Sequence, residues 1–275
     1  FKVKDEMSNF EFTSSIDTCS IKSVKDESSS EITIPDYVTT IGENAFHNCG
    51  GLTSITIPDS VTSIGKSAFI FCSSLTDVYY LGTIDQWAKI YFDNADSNPL
   101  INAKNLYINN ELITEANLTV TTKISAYAFY FCSSLTSVTI GGSVTHIGGS
   151  AFCGCSGLTS ISIPDNVTSI GDGAFCGCSS LTSVILGNGV KSIGKEAFSG
   201  CRGLTSVTIP DKVTFIDSYA FSGCNRLTSV IWKAEKCTQV GSSSYYIFRD
   251  CTNLRKVTIG DNVKVIPAYA FYYCS

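Results

Sequence analysis

Cysteine is the residue type in this sequence with the greatest capacity for chemistry. The 275 residues include 13 Cys, and two pairs have the spacing Cys-Gly-Cys, Cys153 with Cys155 and Cys176 with Cys178. Four thiolates at this spacing could hold zinc, whereas thiols on neighbouring segments could form a Cys153–Cys176 bridge or stay exposed as a pair. We favour the bridge or the exposed pair, because Cys155 and Cys178 belong to a regular series.

Nine Cys form that series, because each follows an aligned Phe by three residues. They are Cys49, Cys72, Cys132, Cys155, Cys178, Cys201, Cys224, Cys251 and Cys274. Free Cys is a small apolar residue that is buried more often than most. The series therefore predicts buried free thiols that serve packing, and we expect no metal site.

Other residues able to act as catalysts are scarce. His47 and His146 are the only His and stand at unrelated places, so they build no His-based triad or zinc-protease motif. Asp59, Asp165 and Asp211 recur singly after Pro, which matches no calcium loop and suits turns. We expect no catalytic residue and no cofactor.

These side chains belong to a sequence repeat of 23 residues. Copies begin at Leu52, Leu135 and Leu158, and four copies run without a gap from Leu135 to Arg226. A fixed period of this length indicates one supersecondary unit that is stacked many times. Apolar residues first alternate as in a short strand with one buried face, then Pro or Gly turns the chain. A less regular arm follows, in which Val, Ile, Phe and Cys point inward.

The phrase CxxLxxIxIPxxVxxIGxxAFxx resembles the BspA-like leucine-rich repeat, also called the Treponema pallidum type. This family occurs in surface proteins of anaerobic bacteria and of some parasitic protozoa, and the resemblance covers nearly the whole chain. It implies an α/β-repeat solenoid of about ten rungs, with a parallel sheet on the concave face and irregular arms on the convex face. It also implies adhesion to host matrix proteins or to other cells.

Two insertions interrupt the period, because the aligned Phe residues lie 60 residues apart before Phe129 and 27 apart before Phe248. The first covers about residues 81–117, where Thr83 and Gln86 have the spacing of a capping box. We predict a helix over residues 83–92 against the outside of the coil, with Trp87 covered, and a hairpin beyond it. The second is a longer loop at about 233–244.

The remaining boundaries follow from where the repeat stops. Residues 1–30 lack the repeat and are interpreted as an N-terminal cap, and residues 31–275 form the solenoid. The sequence ends inside a repeat at AFYYCS, so we expect a fragment of something longer.

The outward positions of the strands form a surface of hydroxyl groups, as at Thr136, Ser137 and Thr139. Identical coils offer no specificity by themselves, so we expect ligand-binding residues where the repeat departs from its own pattern. Aromatic and Arg side chains are also the usual anchors of protein interfaces. The candidates on or beside the sheet are Asp77, Tyr79, Tyr80, Trp232, Arg255 and Lys256.

Composition excludes several classes of function. The formal net charge is -5 and Lys and Arg form no run, which argues against a nucleic-acid partner. No window reaches the roughly 18 apolar residues of a membrane span. We predict a non-catalytic interaction or adhesion module that is extracellular or at the cell surface. It would bind a protein or glycan ligand, such as host matrix or another cell surface. A passive spacer and a substrate-docking segment of a larger secreted enzyme are the alternatives.

Overall fold

The computed structural model describes residues 9–15, 18–24, 29–237, 239–240 and 246–274. The chain divides into two compact units, Phe1–Ile113 and Thr114–Ser275. Within each unit, successive coils contribute long strands that pair in parallel and two-residue strands that pair in a separate sheet. In the second unit the long strands fall into two parallel sheets. The coils number about ten and contain little helix, which confirms the predicted leucine-rich-repeat solenoid.

The first unit contains the N-terminal strands and four long strands. The long strands pair in parallel and are β3 (Glu31–Thr33), β5 (Ser54–Ile57), β7 (Asp77–Tyr80) and β9 (Asn105–Ile108). The short strands are β4 (Thr40–Ile41), β6 (Ser63–Ile64) and β8 (Tyr91–Phe92). A hairpin of β1 (Phe10–Ser15) and β2 (Thr18–Val24) pairs through β2 with β4. It lies within the segment interpreted as a cap.

The second unit repeats the same plan with fewer departures. Its long strands are β11 (Glu115–Leu118), β13 (Ser137–Ile140), β15 (Ser160–Ile163), β17 (Ser183–Leu186), β19 (Ser206–Ile209), β21 (Ser229–Trp232) and β23 (Lys256–Ile259). Its short strands form one sheet of β12 (Lys123–Ile124), β14 (His146–Ile147), β16 (Ser169–Ile170), β18 (Ser192–Ile193), β20 (Phe215–Ile216) and β22 (Gln239–Val240).

Thr side chains at two positions of the repeat join successive coils together. At the start of a long strand, Thr182 Oγ1 donates to the Thr159 carbonyl one coil earlier, at 3.0 Å. Before a short strand, Thr145 Oγ1 donates to the Thr122 carbonyl at 3.2 Å. These hydroxyl hydrogens are already used inside the fold, so the Thr rows serve the stack as well as the surface.

The arms stack their Phe rings into a column. In the second unit Phe175 lies between Phe152 and Phe198, with ring centroids 5.3 Å and 5.2 Å away and nearly parallel planes. All three side chains are fully buried. Each arm also hydrogen-bonds the next, as where Phe152 N donates to Ala174 O at 2.8 Å. Gly154 has a φ of +74°, a left-handed conformation that Gly adopts without strain.

The regular Cys series confirms the packing prediction. All thirteen Cys are present as thiols rather than disulfides, and Cys155, Cys178, Cys201 and Cys224 are fully buried. The Cys178 thiol donates to the carbonyl of Phe152 on the preceding coil, at 3.1 Å. Burial raises the pKa of the Cys178 thiol to about 12. These thiols are therefore protonated donors inside the core.

The predicted helix over residues 83–92 is wrong in length and in position. The helix α1 covers only Ile84–Trp87, although the predicted capping box of Thr83 and Gln86 is present. It ends early because Tyr91–Phe92 joins the short-strand sheet as β8. Trp87 is fully buried against Tyr80, with centroids 5.3 Å apart, as predicted. The helix thus belongs to the path of a coil and does not lie outside one.

The rest of the first insertion completes that extra coil. Two 3-10 helices, Ala95–Ser97 and Pro99–Ile101, take the place of an arm. Phe69 N donates to Asp96 O at 3.0 Å, as it would to the arm of a regular coil, and Leu100 fills the core. The insertion therefore completes a divergent coil that begins with the long strand β7 and includes the short strand β8, and it then supplies the next long strand, β9.

The hairpin predicted after this coil is confirmed. β10 (Glu111–Leu112) pairs antiparallel with β9, and Asn109 and Asn110 at the turn have φ values of 51° and 67°. Two left-handed residues in succession define the turn that suits a two-residue hairpin. In the second insertion, residues 238 and 241–245 lie outside the described residues.

Candidate functional site

Strand alternation sets which side chains reach the surface of the long-strand sheet. In β7 the burial alternates, so that Val78 and Tyr80 point inward while Asp77 and Tyr79 point outward. The register of β7 with β9 then places Asn105 beside Asp77 and Tyr107 beside Tyr79. Four outward side chains of two adjacent strands therefore form one group, which we name the tyrosine patch: Asp77, Tyr79, Asn105 and Tyr107.

The two Tyr rings of the patch stack on one another. Their centroids are 4.6 Å apart and their planes differ by 19°. Both side chains are half-buried, and on the other side of Tyr79 the neighbouring strand carries Thr56. Cross-strand aromatic pairs of this kind stabilise a sheet and hold each other's rotamers. The patch is therefore a preorganised aromatic surface.

Asp77 is held at the base of the Tyr pair by several donors. Asn105 Nδ2 donates to Asp77 Oδ1 at 3.0 Å, and Thr76 Oγ1 donates to Asp77 Oδ2 at 2.7 Å. Partial burial alone would raise the pKa of Asp77, but hydrogen bonds from Thr76, Asn105 and Tyr107 outweigh it, and the pKa lies below its usual value. The patch thus presents a fixed negative charge beside two aromatic rings.

Two candidates from the sequence belong to the core. Tyr80 is 1% exposed and Trp232 is fully buried, because both are the last, inward residues of their strands. Trp232 Nε1 donates to the Ala234 carbonyl at 3.2 Å, which satisfies its one polar group. Neither side chain can contact a ligand in this structure, so both are corrected from surface to packing residues.

Arg255 and Lys256 are exposed at the start of β23 in the second unit. Arg255 stands where other coils have the Thr that bonds the preceding coil. The same strand face carries two exposed apolar side chains, Ile185 at 61% and Ile231 at 39% exposure, which the sequence analysis missed. Their signal was present, because Ile replaces Ser or Thr at these outward positions.

Asn105 and Tyr107 were also missed, because both lie in the insertion. Their signal is the match between DVYY of β7 and NLYI of β9, in which Asp aligns with Asn and Tyr79 with Tyr107. Reading the insertion as a divergent coil would have revealed it.

The remaining polar groups contribute to turns. Asp165 Oδ1 accepts from Asn188 N of the next coil at 2.7 Å, in agreement with a turn-forming Asp. Among the described residues, no group of three or more His, Cys, Asp or Glu could hold a metal ion. Within the same part of the chain, no helix has the length and apolar character needed to cross a bilayer.

The repeat, the solenoid and the Phe and Cys columns define a leucine-rich-repeat protein. The chain matches the BspA type leucine rich repeat region, in six copies, over residues 1–112 and 147–275. It therefore belongs to this family. No curated protein matches the chain.

Solved structures of other proteins are similar to this chain, and the first two of the three below share its fold. A leucine-rich repeat protein from Bacteroides ovatus is 24% identical with a TM-score of 0.63, and the match covers 96% of this chain and 78% of that one. The pneumococcal vaccine antigen PcpA is 19% identical with a TM-score of 0.54, covering 85% and 75%. The T. pallidum leucine rich repeat protein is 26% identical with a TM-score of 0.45, covering 80% and 88%.

Proposed function

We propose that this protein is a non-catalytic binding module, extracellular or at the cell surface, that contacts a protein ligand through the tyrosine patch. The observation that carries the proposal is the stacked pair of Tyr79 and Tyr107 on an otherwise small, hydroxyl-rich strand face. Membership of a leucine-rich-repeat family supports an interaction role. The family's occurrence in surface proteins supports the location.

The geometry of the patch favours a protein ligand over a sugar ring. The Tyr rings are 4.6 Å apart and face each other, so a sugar cannot stack between them. The Tyr107 hydroxyl interacts with Asp77 inside the patch, and rigid Tyr side chains of this kind are frequent anchors in protein interfaces.

Charge indicates the character of that ligand. Residues 1–113 contain 7 Lys and Arg against 15 Asp and Glu, a net charge of -8. Asp77 adds a carboxylate within the patch itself. A basic ligand surface would be steered toward this unit, and binding should weaken as salt rises.

The test begins with a screen of the purified chain against extracellular-matrix proteins and a glycan array. For a matrix protein that binds, Tyr79→Ser and Tyr107→Ser should each weaken affinity by about tenfold or more. The matched control is Tyr91→Ser, because Tyr91 is 60% exposed in the same unit on the short-strand sheet. Normal binding by both patch variants, with loss in the control, would contradict the proposal. So would binding to glycans alone.

A further inference from the structure

Two thiols outside the regular Cys series lie on adjacent arms of the second unit. Cys153 and Cys176 each follow a stacked Phe by one residue, where the next two coils carry Ser199 and Ser222. The stacked Phe rings of these two arms are 5.3 Å apart, and Gly154 N donates to the Cys176 carbonyl at 2.7 Å. The two arms are therefore tied together at the position where the thiols emerge.

These thiols differ from their neighbours in exposure and in hydrogen bonding. Cys155 and Cys178 are fully buried and donate to backbone carbonyls of the preceding coil. Cys153 and Cys176 are half-buried and occupy equivalent positions on the two adjacent arms. Two half-buried thiols at equivalent positions of adjacent, hydrogen-bonded arms meet the two requirements of a reversible disulfide, which are proximity and access.

Their acidities also differ. Interaction with the Cys153 thiol lowers the pKa of Cys176 below its usual value, against the opposing effects of burial and of Glu196. The same interaction, together with burial, raises the pKa of Cys153. Cys176 is thus the more acidic thiol of the two, and the thiolate is the attacking species in exchange.

We propose that Cys153 and Cys176 form a reversible dithiol–disulfide pair that reacts with low-molecular-weight disulfides of the glutathione class. The Cys176 thiolate attacks one sulfur of the oxidant, which forms a mixed disulfide and releases one thiolate. Cys153 then loses its proton and attacks the Cys176 sulfur, which releases the second thiolate. The net change oxidises two protein thiols to one disulfide and reduces one small disulfide to two thiols. This inference does not depend on the proposed binding function.

The reaction can be followed on the whole chain with oxidised glutathione, followed by alkylation and digestion without reductant. Trypsin together with a protease that cleaves before Asp separates the two thiols, because Asp165 and Asp172 lie between them. We expect a linked peptide pair in which fragment spectra assign the bond to Cys153 and Cys176. Dithiothreitol should reverse it. Cys155 and Cys178, one coil apart in the same peptides, are the internal control and should be alkylated only after unfolding.

Single variants separate the two steps. In Cys153→Ser, which introduces the residue found at this position in the next two coils, the reaction should stop at the mixed disulfide between glutathione and Cys176. Cys176→Ser should give no link and should react much more slowly. Three results would overturn the proposal: a link through Cys155 or Cys178, separate glutathione adducts on Cys153 and Cys176 in the parent, or a pair no more reactive than the buried control.

Discussion

At the scale of the residue, repeated core side chains in this protein contact the equivalent side chains of neighbouring coils. Phe175 contacts the same residue type on both sides, and the Cys178 thiol donates to the coil before it. A repeated side chain therefore contributes to a column, and its loss affects two interfaces. Residues that depart from the repeat are different. Tyr79 stacks on Tyr107 alone, since Thr56 lies on its other side, and this is why we propose it as a binding residue.

The Phe column leads to a prediction about stability. Phe175→Ala removes a fully buried ring between two others, so we expect a loss of about 3 to 5 kcal/mol in the free energy of unfolding. Denaturant unfolding followed by circular dichroism measures it. Phe131→Ala is the matched control, because Phe131 is 44% exposed, and should cost about 1 kcal/mol or less. A loss below about 1 kcal/mol for Phe175→Ala would mean that the ring does not support the stack.

The donors around Asp77 lead to a prediction about pH. Because its pKa is lowered in the folded state, the network contributes stability above the ordinary Asp pKa of about 3.9. That contribution is lost as the pH falls through the lower folded value. A carboxyl NMR titration should show one Asp below the usual range, assigned by its absence in Asp77→Asn. Asn105→Ala should move that pKa upward, and an unchanged value would exclude the Asn105 hydrogen bond.

At the scale of the element, the first insertion shows that a coil can be rebuilt from different parts. A capped turn of helix replaces the turn after β7, and two 3-10 helices replace the arm. Any replacement must fill the core and must supply hydrogen-bond partners to the preceding coil. Trp87 fills the volume, and Asp96 supplies the carbonyl that Phe69 N requires.

Burial of Trp87 can be tested by fluorescence. In a Trp232→Phe variant, Trp87 is the only Trp. Its emission should resist quenching by acrylamide in the folded protein and become accessible in denaturant, because the side chain is fully buried. The denatured variant serves as the reference for full access. Ready quenching in the folded state would contradict the packing of α1 against Tyr80.

At the scale of the whole molecule, stability is distributed over neighbouring coils rather than over one central core. Each coil buries its apolar face only by contact with the next, as expected for a repeat protein. Coils that make fewer contacts with their neighbours are therefore expected to be less stable against local opening. β15 pairs with a strand on each side, whereas β23 pairs with β21 alone and is exposed along its whole length.

Hydrogen exchange should reveal this gradient. We expect amides of β15 to exchange at least about tenfold more slowly than those of β23, because local opening costs less where fewer contacts are broken. Peptide-resolved exchange measured by mass spectrometry gives both values in one experiment. The long strand β21, which pairs with β19 and β23, serves as an intermediate reference. Equal protection of β15 and β23 would mean that the second unit opens only as a whole.

The sequence by itself determined the period, the inward Phe and Cys, the strand alternation and the two-residue hairpin. It could do so because each of these depends on local spacing, and the period of 23 residues brings identical environments together. Tertiary structure alone decided that the first insertion is a coil, that Tyr80 and Trp232 face the core, and that Asn105 and Tyr107 join Asp77 and Tyr79. These outcomes depend on register between strands that lie far apart in sequence where the period fails, and register is fixed by packing rather than by local pattern.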